Sequence, residues 1–274
     1  MANGDHGDST VLYGVPRVSY TKVECTPFIS SLRTCLGYMG QDEDYARLMA
    51  RSGAAFRLMG NTTHWDGANV DILCMREDVT EPLRRALAAA GRSFALVCKA
   101  GKEGHYLAER AQDGALAIKT GGREDFVKLV TREIDAGRPV IGYGIIGPPE
   151  ACLITGYRET GEALLGWNFF PDMPEWAAGV TTEPCGYFVR RGWFEHAEIL
   201  AVMAVGQPVA TLAGQEALRD CLEFALTVMQ TPRVFNHAGG FTAFAAWAAA
   251  PLRESEFPKD APLPMLFERL VCQV

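Results

Sequence analysis

Three strand-length apolar segments follow one another in the middle of the chain, and they constrain the fold more than any other feature. They are residues 138–146, 151–158 and 163–170. Pro148-Pro149 separates the first two segments, and Glu159-Thr160-Gly161 is a good hairpin turn between the second and the third. Because a hairpin joins antiparallel neighbours, this region predicts an antiparallel sheet.

Helical patterns precede these strands. Thr26 suits an N-cap, and Pro27 suits the first helical position, where its missing N–H is not needed. Apolar residues then recur at helical spacing until Gly40, which supplies a stop. Further helices are predicted over residues 43–51, 81–90 and 123–136, and further strands over residues 93–99, 187–190 and 199–205.

The pattern changes near residue 207, and the chain beyond it is helical in period. A long apolar stripe begins after Gly214, and further helices are predicted over residues 241–250 and from Pro264. We therefore expect an α+β domain over residues 1–206 and a helical C-terminal region over residues 207–274.

The C-terminal helices suggest two further expectations. The chain ends inside an amphipathic pattern with no polar tail, which suggests that the native chain extends past Val274. The helices are also rich in alanine and apolar residues, which makes a homodimer an expectation.

Composition and charge exclude several classes of function. With 274 residues, 48% of them apolar, the chain can bury a large core. The net charge of −7 and the lack of a Lys/Arg cluster argue against nucleic acid as a partner. No apolar run reaches the ~20 residues that span a bilayer, and the polar N-terminus lacks the features of a secretory signal. The sequence therefore predicts a cytoplasmic protein with no membrane partner.

The eight cysteines are scattered, and no Cys-x-x-Cys pair occurs. A thiolate zinc site is therefore not expected, and no motif implies an organic cofactor. Reduced thiols are the simplest interpretation of this spacing.

Cys25 stands apart from the others because it comes directly before a predicted helix. The positive end of a helix dipole favours thiolate over thiol. Cys25 is therefore the candidate nucleophile.

The order of four motifs resembles a known family. Cys25 at the helix start, Gly137-Arg138-Pro139-Val140-Ile141, Cys152-Leu153-Ile154-Thr155-Gly156-Tyr157 and Trp167-Asn168 resemble papain-like cysteine peptidases of the bacteriocin-processing type. Over roughly residues 20 to 200 the chain is most similar to the N-terminal domain family of butirosin biosynthesis protein H, an acyl carrier protein-dependent acyltransferase. The resemblance implies a bacterial protein with a papain-like core, in which a helix bundle packs on an antiparallel sheet.

The resemblance also implies site residues. Cys25 matches the nucleophile, and Asn168 falls at the position of the Asn or Asp that orients the catalytic histidine. The histidine position holds Glu150, and a carboxylate needs a strongly raised pKa to replace imidazole as a base near neutral pH. His64, in the polar loop Asn61-Thr62-Thr63-His64-Trp65-Asp66-Gly67, is the best substitute histidine.

Two classes of function follow. The first is a cysteine hydrolase or acyltransferase that forms a thioester on Cys25, with a small-molecule, peptidyl or acyl substrate and an acyl carrier protein as a candidate partner. The second is a catalytically inactive papain-like fold that binds a small molecule or a peptide. The substitution by Glu150 favours the second class.

Overall fold

The computed structural model describes residues 7–64, 76, 78, 80–100, 116–171, 173–235 and 237–266, and the chain folds as two compact units. The first unit comprises Met1–Tyr45 and Ala90–Ala210, and the second comprises Ala46–Ala89 and Thr211–Val274. The chain leaves the first unit close to the predicted boundary at residue 206. The segment Ala46–Ala89, however, belongs with the C-terminal residues.

Both units contain helices and strands. The α-helices are α1 (Pro27–Tyr38), α2 (Tyr45–Ser52), α3 (Thr80–Ala89), α4 (Arg123–Asp135), α5 (Gly214–Gln230) and α6 (Gly240–Ala249). The strands are β1 (Thr10–Val11), β2 (Met59–Gly60), β3 (Arg92–Lys99), β4 (Leu116–Gly121), β5 (Val140–Tyr143), β6 (Ala151–Arg158), β7 (Ala163–Trp167), β8 (Val180–Thr182), β9 (Phe188–Arg191), β10 (Ala201–Pro208), β11 (Arg233–Val234) and β12 (His237–Gly239).

A nine-stranded sheet forms the centre of the first unit, counted over the described residues. Its order is β4-β3-β10-β5-β6-β7-β9-β8, and β1 pairs with β6. Strands β3 and β4 are parallel, whereas the other pairs are antiparallel. The α+β class and the antiparallel sheet predicted from the sequence are therefore confirmed.

The three predicted strands are β5, β6 and β7. Strand β6 has the predicted bounds, but β5 and β7 are shorter than predicted. Gly144 ends β5 because its φ of 70° is outside the range of a strand. Beyond β7, the Asn168 side chain accepts a hydrogen bond from the Phe170 N–H at 2.6 Å and turns the chain.

Helix α1 packs on the sheet against β5, β6 and β10. The Phe28 ring in its first turn lies 6.2 Å from the Tyr143 ring at the end of β5. Near its last turn, Cys35 Sγ lies 3.9 Å from the Pro139 carbonyl oxygen, just before β5 begins. The helix therefore runs antiparallel to β5, and its start lies at the end of the sheet where β5 stops and β6 begins.

The second unit combines helices with a small sheet, in the order β11-β12-β2. The predicted helical C-terminal region thus also contains the β11–β12 hairpin, which the sequence analysis did not foresee. Arg85 links α3 to α5, since it lies 2.6 Å from the Asp220 carboxylate and 3.9 Å from the Phe224 ring centroid.

The predicted apolar stripe of α5 is divided between two faces. One face is buried, whereas Leu218, Leu222 and Leu226 are more than half exposed. The homodimer expected from these helices stays a prediction. Among the described helices, none has both the length and the apolar character that crossing a bilayer requires.

Candidate functional site

Cys25 is exposed and lies directly before Thr26, the N-cap residue of α1. The Thr26 hydroxyl makes no capping hydrogen bond. Instead, the Tyr45 hydroxyl accepts hydrogen bonds from the N–H groups of both Cys25 and Thr26, at 3.2 and 3.0 Å. Within the described part of the chain, the Cys25 sulfur takes part in no hydrogen bond.

Three of the predicted site residues lie on segments that meet at one end of the sheet. Cys25 leads α1, whose Phe28 ring stacks on Tyr143 at the end of β5. Tyr143 pairs with Ala151, which directly follows Glu150. Asn168 directly follows β7, which pairs with β6 in an antiparallel register. Cys25, Glu150 and Asn168, which are far apart in the sequence, therefore lie on segments at the same end of the sheet.

Glu150 is buried, with 9% of its surface exposed. The Tyr20 hydroxyl donates a hydrogen bond to Glu150 Oε2 at 2.5 Å. The Tyr20 ring also packs on Phe169 and Phe170, with centroid separations of 5.1 and 6.0 Å. The segment between β1 and α1 is thereby fastened to the start of β6 and to the residues that follow β7.

Asn168 is buried to the same degree, with 9% of its surface exposed. Its Oδ1 accepts the Phe170 N–H, so the side-chain nitrogen Nδ2 points to the other side of the amide. No described residue accepts a hydrogen bond from Nδ2. The amide is therefore held in one orientation with a free donor.

His64 belongs to the second unit and is exposed. Asn61 Nδ2 lies 3.2 Å from His64 Nε2, and Thr63 Oγ1 lies 3.2 Å from His64 Nδ1. Because an amide nitrogen only donates, Nε2 accepts and is already occupied within its own loop. The role of His64 as a base stays a prediction. Trp65 and the rest of that loop lie outside the described residues.

The structure brings forward a histidine that the sequence analysis ranked below His64. His196 Nδ1 lies 3.0 Å from the Gly144 carbonyl oxygen, and the Gly144 N–H donates to the Glu150 carbonyl oxygen at 3.1 Å. A carbonyl only accepts, so Nδ1 is the donor in this contact. The one residue in the sequence that relates to this contact is Gly144, because any larger residue would collide with the His196 loop. A Cβ added to Gly144 would lie 1.8 Å from the Glu198 carbonyl oxygen.

A cavity of about 330 Å³ lies in the first unit, beside β7 and β9. Its aromatic lining consists of Trp167, Phe170, Trp176 and Phe188. Its polar lining consists of Arg17, Asn168, Thr182 and Cys185. Asn168 is thus the predicted site residue that faces a cavity, whereas Cys25 and Glu150 do not line it.

The described cysteines differ in exposure. Cys25 and Cys185 are exposed, whereas Cys35, Cys98, Cys152 and Cys221 are buried; all six are free thiols. Burial raises the pKa of the Cys152 thiol to about 12 and also raises that of Cys35. Over the described ranges, no three His, Cys, Asp or Glu side chains are grouped as a metal site requires.

Comparison with known proteins finds no matching family model, no matching curated protein and no matching solved structure.

Proposed function

We propose that the first unit is a papain-like fold that serves as a module for binding a small molecule or a peptide. Support for the fold comes from α1, which begins at Cys25 and packs on an antiparallel sheet. Further support comes from the shared sheet end of Cys25, Glu150 and Asn168.

The hydrogen bonds of the Cys25 and Thr26 N–H groups are the reason for preferring binding to catalysis. Attack by a thiol on a carbonyl needs free N–H groups near the sulfur, which hold the developing oxyanion. Here the N–H groups of Cys25 and Thr26 both donate to the Tyr45 hydroxyl. A substrate oxygen would have to displace that hydroxyl before it could be stabilised.

The side chains of the two other predicted site residues, Glu150 and Asn168, also have hydrogen-bond partners already. The Glu150 carboxylate already accepts the Tyr20 hydroxyl, and Asn168 Oδ1 already accepts the Phe170 N–H. A base must reach the proton that it abstracts, and an orienting residue must reach the base. These contacts argue against a catalytic role for both side chains.

The cavity beside β7 is the proposed binding site. Ligand sites are typically concave, with placed polar groups and volumes of roughly 300–1,000 Å³. The cavity of about 330 Å³ has four aromatic side chains and the free Asn168 donor.

The test exploits two exposed cysteines. Cys185 lines the cavity and Cys25 does not. A bound ligand is expected to slow alkylation of Cys185 by iodoacetamide and to leave Cys25 unchanged, as measured by peptide mass spectrometry over a small-molecule and peptide library. The proposal also requires that Cys25→Ala keep this protection. If no compound protects Cys185, the cavity is not a binding site.

Cysteine acyl chemistry is the second candidate, and the exposure of Cys25 favours it. In that case Cys25 Sγ attacks an acyl carbonyl, the bond to the leaving group breaks, and the thioester then passes its acyl group to water or to an amine. The leaving group takes up the proton that the thiol releases. An acyl carrier protein is the corresponding candidate donor.

Labelling at mildly acidic pH separates the two candidates. A catalytic thiolate should react with iodoacetamide well before Cys185, which is exposed but does not precede a helix. Equal rates at the two cysteines would remove the support for acyl chemistry. A cytoplasmic location is part of both proposals and agrees with the free thiols.

A further inference from the structure

The charge of the cavity beside β7 points to the class of its ligand. Its lining includes the cationic Arg17, and none of its described lining residues is acidic. We propose that this cavity binds an aromatic carboxylate of one or two rings, with the carboxylate on Arg17 and Asn168 and the ring against the tryptophans. This inference rests on the proposed binding function and names its ligand.

The side chain of Asn168 indicates that the ligand has a hydrogen-bond acceptor. The side chain is more than nine-tenths buried, yet its Nδ2 donor has no partner among the described residues. A donor that lines the cavity without a protein partner is available to a ligand acceptor in place of water. The Phe170 N–H fixes Oδ1 at 2.6 Å, so the amide cannot turn to present its oxygen instead. The site therefore selects a ligand with an acceptor.

The guanidinium of Arg17 indicates that this acceptor is an anion. Its guanidinium lies 5.8 Å from the centroid of the Trp167 ring and forms no ion pair within the described part of the chain. A guanidinium presents several donors in a plane that matches a carboxylate. An anion is thus preferred over a neutral acceptor of the same shape.

Trp167 supplies the third argument, since its ring is fixed before any ligand arrives. Its Nε1 donates to the Val15 carbonyl oxygen at 2.9 Å, and its ring lies edge-on to Tyr187 with centroids 4.8 Å apart. Gly186 packs on the ring, where an added Cβ would lie 2.9 Å from Cη2. A rigid indole wall favours a flat ring and lowers the cost of ordering on binding.

The size of the cavity limits the ligand. About 330 Å³ is near the lower end of the range for small-molecule sites. One or two fused rings with a carboxylate fit this volume.

The experiment compares naphthoate with its neutral amide, naphthamide. Binding is measured by calorimetry and by protection of Cys185 from iodoacetamide, with Cys25 as the internal reference in the same sample. We expect naphthoate to bind at least about tenfold more tightly than naphthamide and to protect Cys185 alone.

Two variants test the assigned contacts. Asn168→Asp keeps the acceptor for the Phe170 N–H but replaces the free donor by a negative charge, and Arg17→Gln removes the cation. Each is expected to weaken naphthoate binding by about tenfold or more. Lys128→Gln is the charge-matched control, because Lys128 is exposed on α4 and does not line the cavity. It is expected to leave the affinity unchanged.

The outcomes separate this inference from the proposed function. Equal binding of naphthoate and naphthamide would overturn the anion preference while leaving the cavity a binding site. Protection of Cys185 by other library compounds but by neither naphthalene compound would overturn the ligand class alone. If no compound of any class protects Cys185, both proposals fail.

Discussion

The Tyr20 hydroxyl donates a hydrogen bond to Glu150 Oε2 at 2.5 Å, across 130 positions of the chain. This contact ties the segment before α1 to the start of β6, and it engages the carboxylate of Glu150, one of the site residues predicted from the sequence. Its strength is therefore informative about both the fold and the candidate site.

Tyr20→Phe removes this donor and keeps the ring contacts with Phe169 and Phe170. We expect the free energy of unfolding in urea to fall by about 1.5–3 kcal/mol, the range for hydrogen bonds to charged groups. Tyr38→Phe is the matched control, because the Tyr38 hydroxyl makes an exposed contact of 3.4 Å with the Tyr13 carbonyl oxygen. Its effect should stay below about 0.5 kcal/mol. Equal effects would show that the part-buried contact of Tyr20 stabilises the fold no more than the exposed contact of Tyr38 does.

Gly144→Ala tests the close approach that positions His196. The added Cβ would lie 1.8 Å from the Glu198 carbonyl oxygen, so the two backbone segments must separate. Gly40→Ala is the control, since Gly40 has a similar positive φ of 83° and nothing within 4 Å of an added Cβ. Gly144→Ala should cost about 1–3 kcal/mol more in thermal unfolding than Gly40→Ala. A difference near zero would mean that the loop yields freely.

Asp78→Asn tests the ionisation of a carboxyl group at the start of α3. Burial opposes ionisation, but hydrogen bonds from Thr80 and the Arg84 guanidinium outweigh it and lower the pKa of Asp78. The ionised form therefore stabilises the protein above the unfolded pKa, and this stabilisation is lost as the pH falls through the lower folded value.

The substitution keeps the acceptor for Thr80 and removes the charge. It should lower the free energy of unfolding by about 1 kcal/mol near neutral pH, and the difference from the parent protein should shrink below about pH 4. Asp42→Asn, at an exposed position with no hydrogen bond or ion pair among the described residues, is the control. If the difference in the free energy of unfolding between Asp78→Asn and the parent protein stays constant from neutral to acidic pH, the charge of Asp78 is not the cause of the stabilisation.

Differential alkylation tests the burial of the cysteines. At about pH 8, iodoacetamide should label Cys25 and Cys185 and leave Cys35 and Cys152 unmodified, because burial blocks access and raises the pKa of both buried thiols. All four should react once guanidinium chloride unfolds the chain. Rapid labelling of Cys152 in the folded protein would place β6 outside the core.

The sequence by itself determined the elements whose signals are local. Thr26-Pro27 marks the start of α1, and Gly137, with a φ of 78°, directly follows the end of α4. Glu159-Thr160-Gly161 predicted the β6–β7 hairpin because of Gly161, which adopts a positive φ of 96° there. These features depend on the conformational preferences of a few neighbouring residues.

The tertiary structure alone decided what surrounds each candidate side chain. The contact of Tyr45 with the N–H groups of Cys25 and Thr26, and that of Tyr20 with Glu150, join residues with no shared period or motif. The same holds for the cavity that both Arg17 and Asn168 line, because the path of the chain brings these distant segments to it. Two groups form a hydrogen bond only when the folded chain brings them close in space. The apolar periodicity of the sequence carries no information about the distance between residues that are far apart along the chain.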